Sequence, residues 1–537
     1  MTAQLHHSPQ PVLDVRGLNV FYPARGGFDA ARHHVVQDVS FSIPRFGMTA
    51  LLGESGSGKS TIGKSIIGLL PRGAVLEKGS IDFDGLDMTS LAERQMEALR
   101  GRRIGFIPQD PSNSLNPVKT VGAQLGEMFT LHGRYPRETV RARSIALLER
   151  VGLKEPARRF SQYPHELSGG MRQRVLIAMA VALKPELIIA DEPTSALDAT
   201  VQMQILDLLD TLCQENGTSV LLVTHDLSVA AARTNHTIIL RGGRVEEEGA
   251  TRDIFANPAS AYTRTLLDSR PRFVPATGRP VFTGDQPDAA VTVENLVQEY
   301  PLARGRTFRA VDDISFSVRA GTTHALVGES GSGKTTILRA LVGLLKPTAG
   351  SIHVAGQDVS TTRGTLAFRR QIQLVYQNPH GSLNPKQTVG EILEEAIGNF
   401  QRVDRADRQK AVRHILDRVG LPRSVIERRP GMMSGGQCQR VALARGLVIQ
   451  PRVLVLDEVV SALDVCVQAQ ILTLLTDLQK ELGLTYIFVS HDLAVVRQIS
   501  DTVTVLYHGR QMESGTVESV FTTPRSDYTK LLIAAAQ

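Results

Sequence analysis

Residues 48–70 read MTALLGESGSGKSTIGKSIIGLL: a short apolar run, a glycine-rich loop and a segment with helical spacing. A buried strand that feeds a helix through such a loop turns backbone N–H groups inward at the positive end of the helix, where phosphate oxygens are held. The loop is written again at 328–335, GESGSGKT. The candidate phosphate-binding residues are therefore Gly53, Ser55, Gly56, Ser57, Gly58, Lys59, Ser60 and Thr61, and Gly328, Ser330, Gly331, Ser332, Gly333, Lys334, Thr335 and Thr336. Lys59 and Lys334 are placed to reach β- and γ-phosphates, and the hydroxyls of Ser60 and Thr335 to ligate magnesium.

Four further motifs repeat in the same order. QDPSNSLNP at Gln109 matches QNPHGSLNP at Gln377, and LSGGMRQR at Ser168 matches MSGGQCQR at Ser434. IIADEPTSALD at Glu192 matches VLVLDEVVSALD at Glu458, and VTHDL at His225 matches VSHDL at His491. A repeat this long means two copies of a domain, expected at 11–270 and 291–537. Between them, 271–290 carries Pro271, Pro275, Pro280 and Pro287 and reads as a linker, or alternatively as an ordered extension packed on one domain.

Within each copy the apolar runs PELIIADEP and PRVLVLDEV end in carboxylates, and SVLLVTHD and LTYIFVSHD end in Ser/Thr-His-Asp. Continuous apolar runs are the pattern of buried parallel strands, whose carboxyl ends gather the chemistry of an open α/β sheet. RETVRARSIALLERVGL and RADRQKAVRHILDRVGL have helical spacing and predict a helical subdomain inserted between the Gln and Ser-Gly-Gly motifs.

Asp191 and Asp457 suit magnesium binding, and the adjacent Glu192 and Glu458 suit polarisation of an attacking water. The plainer alternative makes one carboxylate a helix cap, since Thr194 and Ser195 also carry cap chemistry. His225 and His491 come directly after strand ends and are candidates to bond a γ-phosphate. Gln109 and Gln377 can coordinate magnesium and begin a connection suited to coupling. Tyr22 and Tyr300 hold matching places in the first strand of each copy, where an aromatic ring stacks on adenine or packs on the strand.

The chain has 537 residues, 42% hydrophobic and 21% charged, which excludes disordered and fibrous classes. Cys213, Cys438 and Cys466 are too few and scattered for a disulfide framework or a cysteine metal site. A net charge of +6 without basic blocks gives no concentrated nucleic-acid footprint. No secretory signal is visible at the start, so the chain is expected to stay in the cytoplasm. The longest apolar run, Val175 to Leu183, is about half of the ~20 residues a membrane-spanning helix needs. Membrane contact is expected only through partners.

Together these motifs resemble the nucleotide-binding domain of ABC ATPases, over nearly the whole chain and in two copies. The resemblance implies two tandem P-loop domains of α/β class, each with a RecA-like core sheet, an antiparallel β subdomain and an inserted helical subdomain. It implies a head-to-tail pairing in which Lys59 faces Ser434, Gly435 and Gly436, and Lys334 faces Ser168, Gly169 and Gly170. SLNP after each Gln, YPHELSGGMRQR, SGGQCQR, and the stretches AYTRTLL at Tyr262 and DYTKLL at Tyr528 are similar to D- and F-type ATPase subunits of oligopeptide, dipeptide and nickel importers. That likeness implies an ATPase using ATP and Mg2+ at the cytoplasmic face of the membrane, with two permease subunits and an external solute-binding protein. Peptides are the expected cargo, with nickel, glutathione or a metal chelate as alternatives. A soluble ABC ATPase acting on ribosomes or DNA is the alternative of a different class. The second copy departs from the first with Val459 and Val460 at the places of Pro193 and Thr194, and with RRPGMMSGG for SQYPHELSGG. Both sites are expected to be competent, and the cysteines that hold an iron–sulfur cluster in some relatives have no counterpart, so none is expected.

Overall fold

The computed structural model describes residues 10–23, 32–132, 135–194, 197, 199–269, 289–301, 307–461 and 463–536. The expected linker lies outside them except for its last two residues, and Ser195 lies outside them as well. Contacts divide the chain into two compact units that part near residue 270.

The strands of the first unit are β1 (Leu13–Tyr22), β2 (His33–Ile43), β3 (Gly47–Gly53), β4 (Val75–Phe83), β5 (Leu86–Asp87), β6 (Ile104–Ile107), β7 (Leu187–Asp191), β8 (Ser219–Val223), β9 (His236–Arg241) and β10 (Arg244–Ala250). Those of the second are β11 (Ala289–Pro301), β12 (Thr307–Arg319), β13 (Thr323–Gly328), β14 (Ala349–Val354), β15 (Gln357–Asp358), β16 (Ile372–Val375), β17 (Val453–Asp457), β18 (Thr485–Val489), β19 (Thr502–Tyr507) and β20 (Arg510–Thr516).

In the first unit β10-β9-β3-β8-β7-β6 form one sheet and β2-β1-β4-β5 a second. The second unit repeats both orders with β20-β19-β13-β18-β17-β16 and β12-β11-β14-β15. The larger sheets are parallel apart from their antiparallel edge strands β10 and β20, and the smaller ones are antiparallel. Successive side chains on a strand face opposite ways, so a central strand needs apolar residues on both faces. On β7, Ile188 and Ala190 join the core made with helices Gly169–Val181 and Ala199–Asn216, whereas Leu187 and Ile189 join the core shared with β1, β2 and helix Lys59–Ile66. One uninterrupted apolar run thus holds two layers. The edge strand β10 is covered differently and alternates exposed with half-buried residues.

Between the Gln motif and the Ser-Gly-Gly motif the first unit has helices Val121–Glu127 and Arg137–Arg150, and the second has Val389–Phe400 and Arg405–Arg418. These are the inserted helices expected from the spacing. In the second unit the first of them opens on Thr388, whose side chain accepts from Glu391 N while its own N–H donates to the Glu391 carboxylate at 2.7 Å. A capping box of this kind satisfies two otherwise orphaned donors.

Candidate functional site

Each phosphate loop leaves the carboxyl end of the central strand of its sheet. Gly53 (φ 148°) and Gly58 (φ 101°) take backbone conformations that side chains resist, and a Cβ on Gly53 would lie 2.3 Å from the Leu240 carbonyl oxygen. The loop folds back on its own lysine: Lys59 is buried, and its Nζ donates to the carbonyls of Gly53 at 2.7 Å and Glu54 at 2.8 Å. Lys334 repeats this with Gly328 at 2.6 Å and Glu329 at 2.8 Å. The buried hydroxyl of Ser57 has no hydrogen-bond partner among the described residues. A cradle of inward backbone amides, an ammonium and an unsatisfied hydroxyl fits a phosphate chain.

Beside the loop, Ser60 Oγ donates to Asp191 Oδ1 at 2.9 Å. Burial, helped by the charge of Glu192, raises the Asp191 pKa although Ser60 opposes it. In the second copy burial and Glu458 push Asp457 up to about 6, without an opposing hydrogen bond from Thr335. A buried carboxylate next to a hydroxyl is a pair of hard oxygen donors, which fits Mg2+.

Two groups converge on each glutamate. Gln109 Nε2 donates to Glu192 Oε2 at 2.9 Å, and His225 Nδ1 lies 3.1 Å from Glu192 Oε1. Gln377 Nε2 donates to Glu458 Oε2 at 2.6 Å, with His491 Nδ1 3.5 Å from the same oxygen. Burial would raise the pKa of each glutamate, but the histidine's bond and charge, with the lysine's charge behind them, bring it below the usual carboxylate range. Burial likewise opposes protonation of His225 and His491, and the facing glutamates outweigh it, so both imidazoles are raised. Each glutamate thus favours the protonated form of the histidine that faces it. Asp226 and Asp492 fix the segment after each histidine by accepting from two backbone N–H groups of the next helix.

Glu192, Gln109, His225, Asp191, Ser60 and Lys59 are thus brought together in the first unit, and Glu458, Gln377, His491, Asp457, Thr335 and Lys334 in the second. Ser168 and Ser434 stand apart, exposed, capping helices Gly169–Val181 and Gly435–Leu447. Gly170 and Gly436 pack on Val201 and Val467, where a Cβ would come within 3.0 and 2.5 Å. Tyr22 is half-buried, its hydroxyl 2.9 Å from Thr61 Oγ1, which sets it beside the phosphate loop. Tyr300 is half-buried, opposite Phe308 in the β11–β12 pair. Sequence reasoning did not anticipate the carbonyls of Glu54 and Glu329 as partners of the lysines, because backbone acceptors leave no residue-type signal.

The ABC transporter family model matches residues 36–195 and again 311–461. A second model, the C-terminal region of oligopeptide/dipeptide transporters, matches 246–294. The chain is 43% identical to the peptidoglycan transport ATP-binding protein YejF of Agrobacterium fabrum, over 98% of this chain and 96% of that one. It is 39% identical to the glutathione import ATP-binding protein GsiA of Pectobacterium atrosepticum, over 98% and 89% of the two chains. With the oligopeptide transport ATP-binding protein OppD of Mycobacterium tuberculosis it shares 37% identity over 98% of each.

Proposed function

The chain belongs to the ABC transporter family as an ATP-binding protein with two fused ATPase copies, and we propose that it energises the import of peptides or related small solutes across the cytoplasmic membrane. The observation that carries this reading is the repeated convergence of a glutamine and a histidine on one half-buried glutamate that also feels the charge of the phosphate-loop lysine.

Lys59 and Lys334 exchange a backbone carbonyl for phosphate oxygens when ATP enters, with the loop amides already aimed inward. Ser60 and Asp191, and Thr335 and Asp457, with Gln109 and Gln377 nearby, hold Mg2+, which when bound offsets the negative charge of the phosphates. Glu192 and Glu458 stay ionised at neutral pH, so each can accept a hydrogen bond from water and take its proton. His225 and His491 donate toward the glutamate and are positioned to sense the γ-phosphate. Tyr22, tied to Thr61, and Tyr300 are placed as adenine contacts. Ser168, Gly169 and Gly170, and Ser434, Gly435 and Gly436, lie at helix N-termini, the positive end of the dipole, which supports their closing on the nucleotide held by the other copy.

Coupling runs through the glutamines. Each bonds the catalytic glutamate and begins the segment that leads to SLNP and the inserted helices. In the second copy a cleft of about 600 Å³ opens there, lined by Tyr376, Ser382, Asn384, Glu395, Phe400 and Arg445 among others. Val118 and Leu131, after the glutamine of the first copy, are exposed apolar side chains, and so is Leu344 at the cleft of the second. These features support docking of one permease helix on each copy. Among the described residues no helix is long and apolar enough to cross a membrane. Likeness to importer ATP-binding proteins supports a seat at the cytoplasmic face, held by two permeases and supplied by an external solute-binding protein.

The test is purification of the Glu192→Gln, Glu458→Gln double variant from detergent-solubilised membranes with ATP, with mass spectrometry of what is captured. Two multi-span permeases are expected. Ribosomal proteins or nucleic acid without any permease would overturn the importer reading and leave the ATPase.

A further inference from the structure

The tyrosine in DYTKLL has no part in ATP hydrolysis as derived from the glutamate clusters. It belongs to helix Asp527–Ala536, the last of the chain, whose start is clamped by Glu513 on β20: its two carboxylate oxygens accept from Arg525 N at 3.0 Å and Ser526 N at 3.1 Å. The clamp sets the Tyr528 ring against Tyr507, at the end of β19, with ring centroids 4.3 Å apart. Strand β19 pairs with β13, and Leu506 lies opposite Gly328, the first residue of the phosphate loop. The Tyr528 hydroxyl therefore reaches the loop, where it accepts from the N–H of Glu329 at 3.3 Å.

That N–H and the carbonyl of Gly328 are the two ends of one peptide group. The carbonyl end accepts from Lys334 Nζ at 2.6 Å. Tyr528 and Lys334 thus hold opposite edges of a single peptide plane, and a donor–acceptor chain of this kind strengthens each of its bonds. Gly328 sits at φ 147°, and a Cβ there would lie 2.1 Å from the Leu506 carbonyl oxygen, so only glycine lets the strand enter the loop at this point.

We propose that Tyr528 is a positioning residue for the second ATP site: its hydroxyl fixes the Gly328–Glu329 peptide and, through the carbonyl of that peptide, aligns the ammonium of Lys334 for phosphate. The C-terminal extension is then a brace for the phosphate loop. This rests on the reading of Lys334 as the phosphate lysine. In the first copy the corresponding tyrosine, Tyr262, packs under the guanidinium of Arg241, 4.8 Å from its ring centroid, at the position that Tyr507 fills in the second.

The experiment uses the full chain carrying Lys59→Ala, so that nucleotide binding reports the second loop alone. Equilibrium dialysis with radiolabelled ATP and Mg2+ compares this parent with the same chain carrying Tyr528→Phe or, as a control, Tyr262→Phe. Phenylalanine keeps the ring against Tyr507 and removes only the acceptor. The expected result for Tyr528→Phe is a Kd for ATP raised about 3- to 10-fold, the span given by loss of one neutral hydrogen bond. The melting temperature should fall by no more than about 2–4 °C, the share of one hydrogen bond, and Tyr262→Phe should leave the Kd as in the parent. An unchanged Kd, or a rise that Tyr262→Phe reproduces, overturns the proposal. Failure of the parent itself to bind ATP overturns the assignment of Lys334, and this inference with it.

Discussion

Glu192 and Glu458 occupy left-handed backbone conformations, φ 48° and 46°, that a glutamate adopts only at a cost of about 1–3 kcal/mol. The strain is placed where it turns each carboxylate from the end of its strand toward a glutamine and a histidine. The pull of the glutamate on the imidazole gives a signed prediction. In Glu192→Gln the bond and charge that raise His225 are gone and burial remains the largest influence, so the His225 pKa should fall below its ordinary 6.5, read by NMR titration of the imidazole. A value still above 6.5 would mean that another group carries the charge. Asp457 gives a second. Its pKa is raised from 3.8 to about 6, so the folded protein holds that proton more tightly than the unfolded chain, and stability is lost as pH rises through that window. Asp457→Asn should therefore raise the melting temperature at pH 7.5 in the absence of nucleotide, by about 2–4 °C for each kcal/mol relieved. Magnesium-dependent ATP binding by the second copy should fall with the same substitution and, in the unsubstituted chain, as pH drops below about 6, because protonation competes with the metal. The residue types and their order were legible in the sequence, but the bond from Gln109 to Glu192 was not. It joins positions 83 apart, and only the pairing of β6 beside β7 brings them together.

Among the elements, those with a continuous apolar run or a helical period were readable. IIAD and VLVLD became β7 and β17, and the two segments between the Gln and Ser-Gly-Gly motifs became helices. The antiparallel sheets were expected only by resemblance. Strand β4 shows why: most of its residues are exposed, so it carries little apolar signal, and it is held by pairing with β1 some sixty residues earlier. Glu247 and Glu513 were invisible for a related reason. Each sits in an exposed alternating strand that reads as a solvated face, yet each accepts two backbone N–H groups at the start of the terminal helix of its copy. The inserted helices carry a prediction at this scale. Thr388→Ala removes half of a capping box on helix Val389–Phe400, which lines the cleft of the second copy, and should cost about 1 kcal/mol in a denaturant melt. ATP binding should persist, since Thr388 touches no group of the site. The coupled readout is permease capture, which should weaken if the helix frames the docking cleft; undiminished capture would place the docking surface elsewhere.

At the scale of the whole chain, the two copies differ in length only where the chemistry does not pass. The phosphate lysines lie 275 residues apart, whereas the Ser-Gly-Gly, glutamate and histidine motifs all repeat at 266. Tyr22 and Tyr300 lie 278 apart, so three residues are lost before the lysine and nine more between the lysine and Ser-Gly-Gly motifs, mostly before the glutamine. From β7 to β8, and from β17 to β18, the crossover uses a helix of equal length, Ala199–Asn216 and Val465–Leu482. A parallel crossover of fixed length sets which residue ends the next strand, so the glutamate–histidine distance is protected in both copies while the outer connections vary. Two complete glutamate clusters in one polypeptide argue that each copy hydrolyses ATP, and the different environments of Asp191 and Asp457 argue that they do so at unequal rates. Lys59→Ala and Lys334→Ala should then each leave one bound nucleotide per chain by equilibrium dialysis. Each should also reduce solute uptake in proteoliposomes, as expected if the proposed stroke requires ATP on both copies. The two variants should differ in residual ATPase rate. Uptake that survives in both would show that nucleotide held by these lysines does not drive transport.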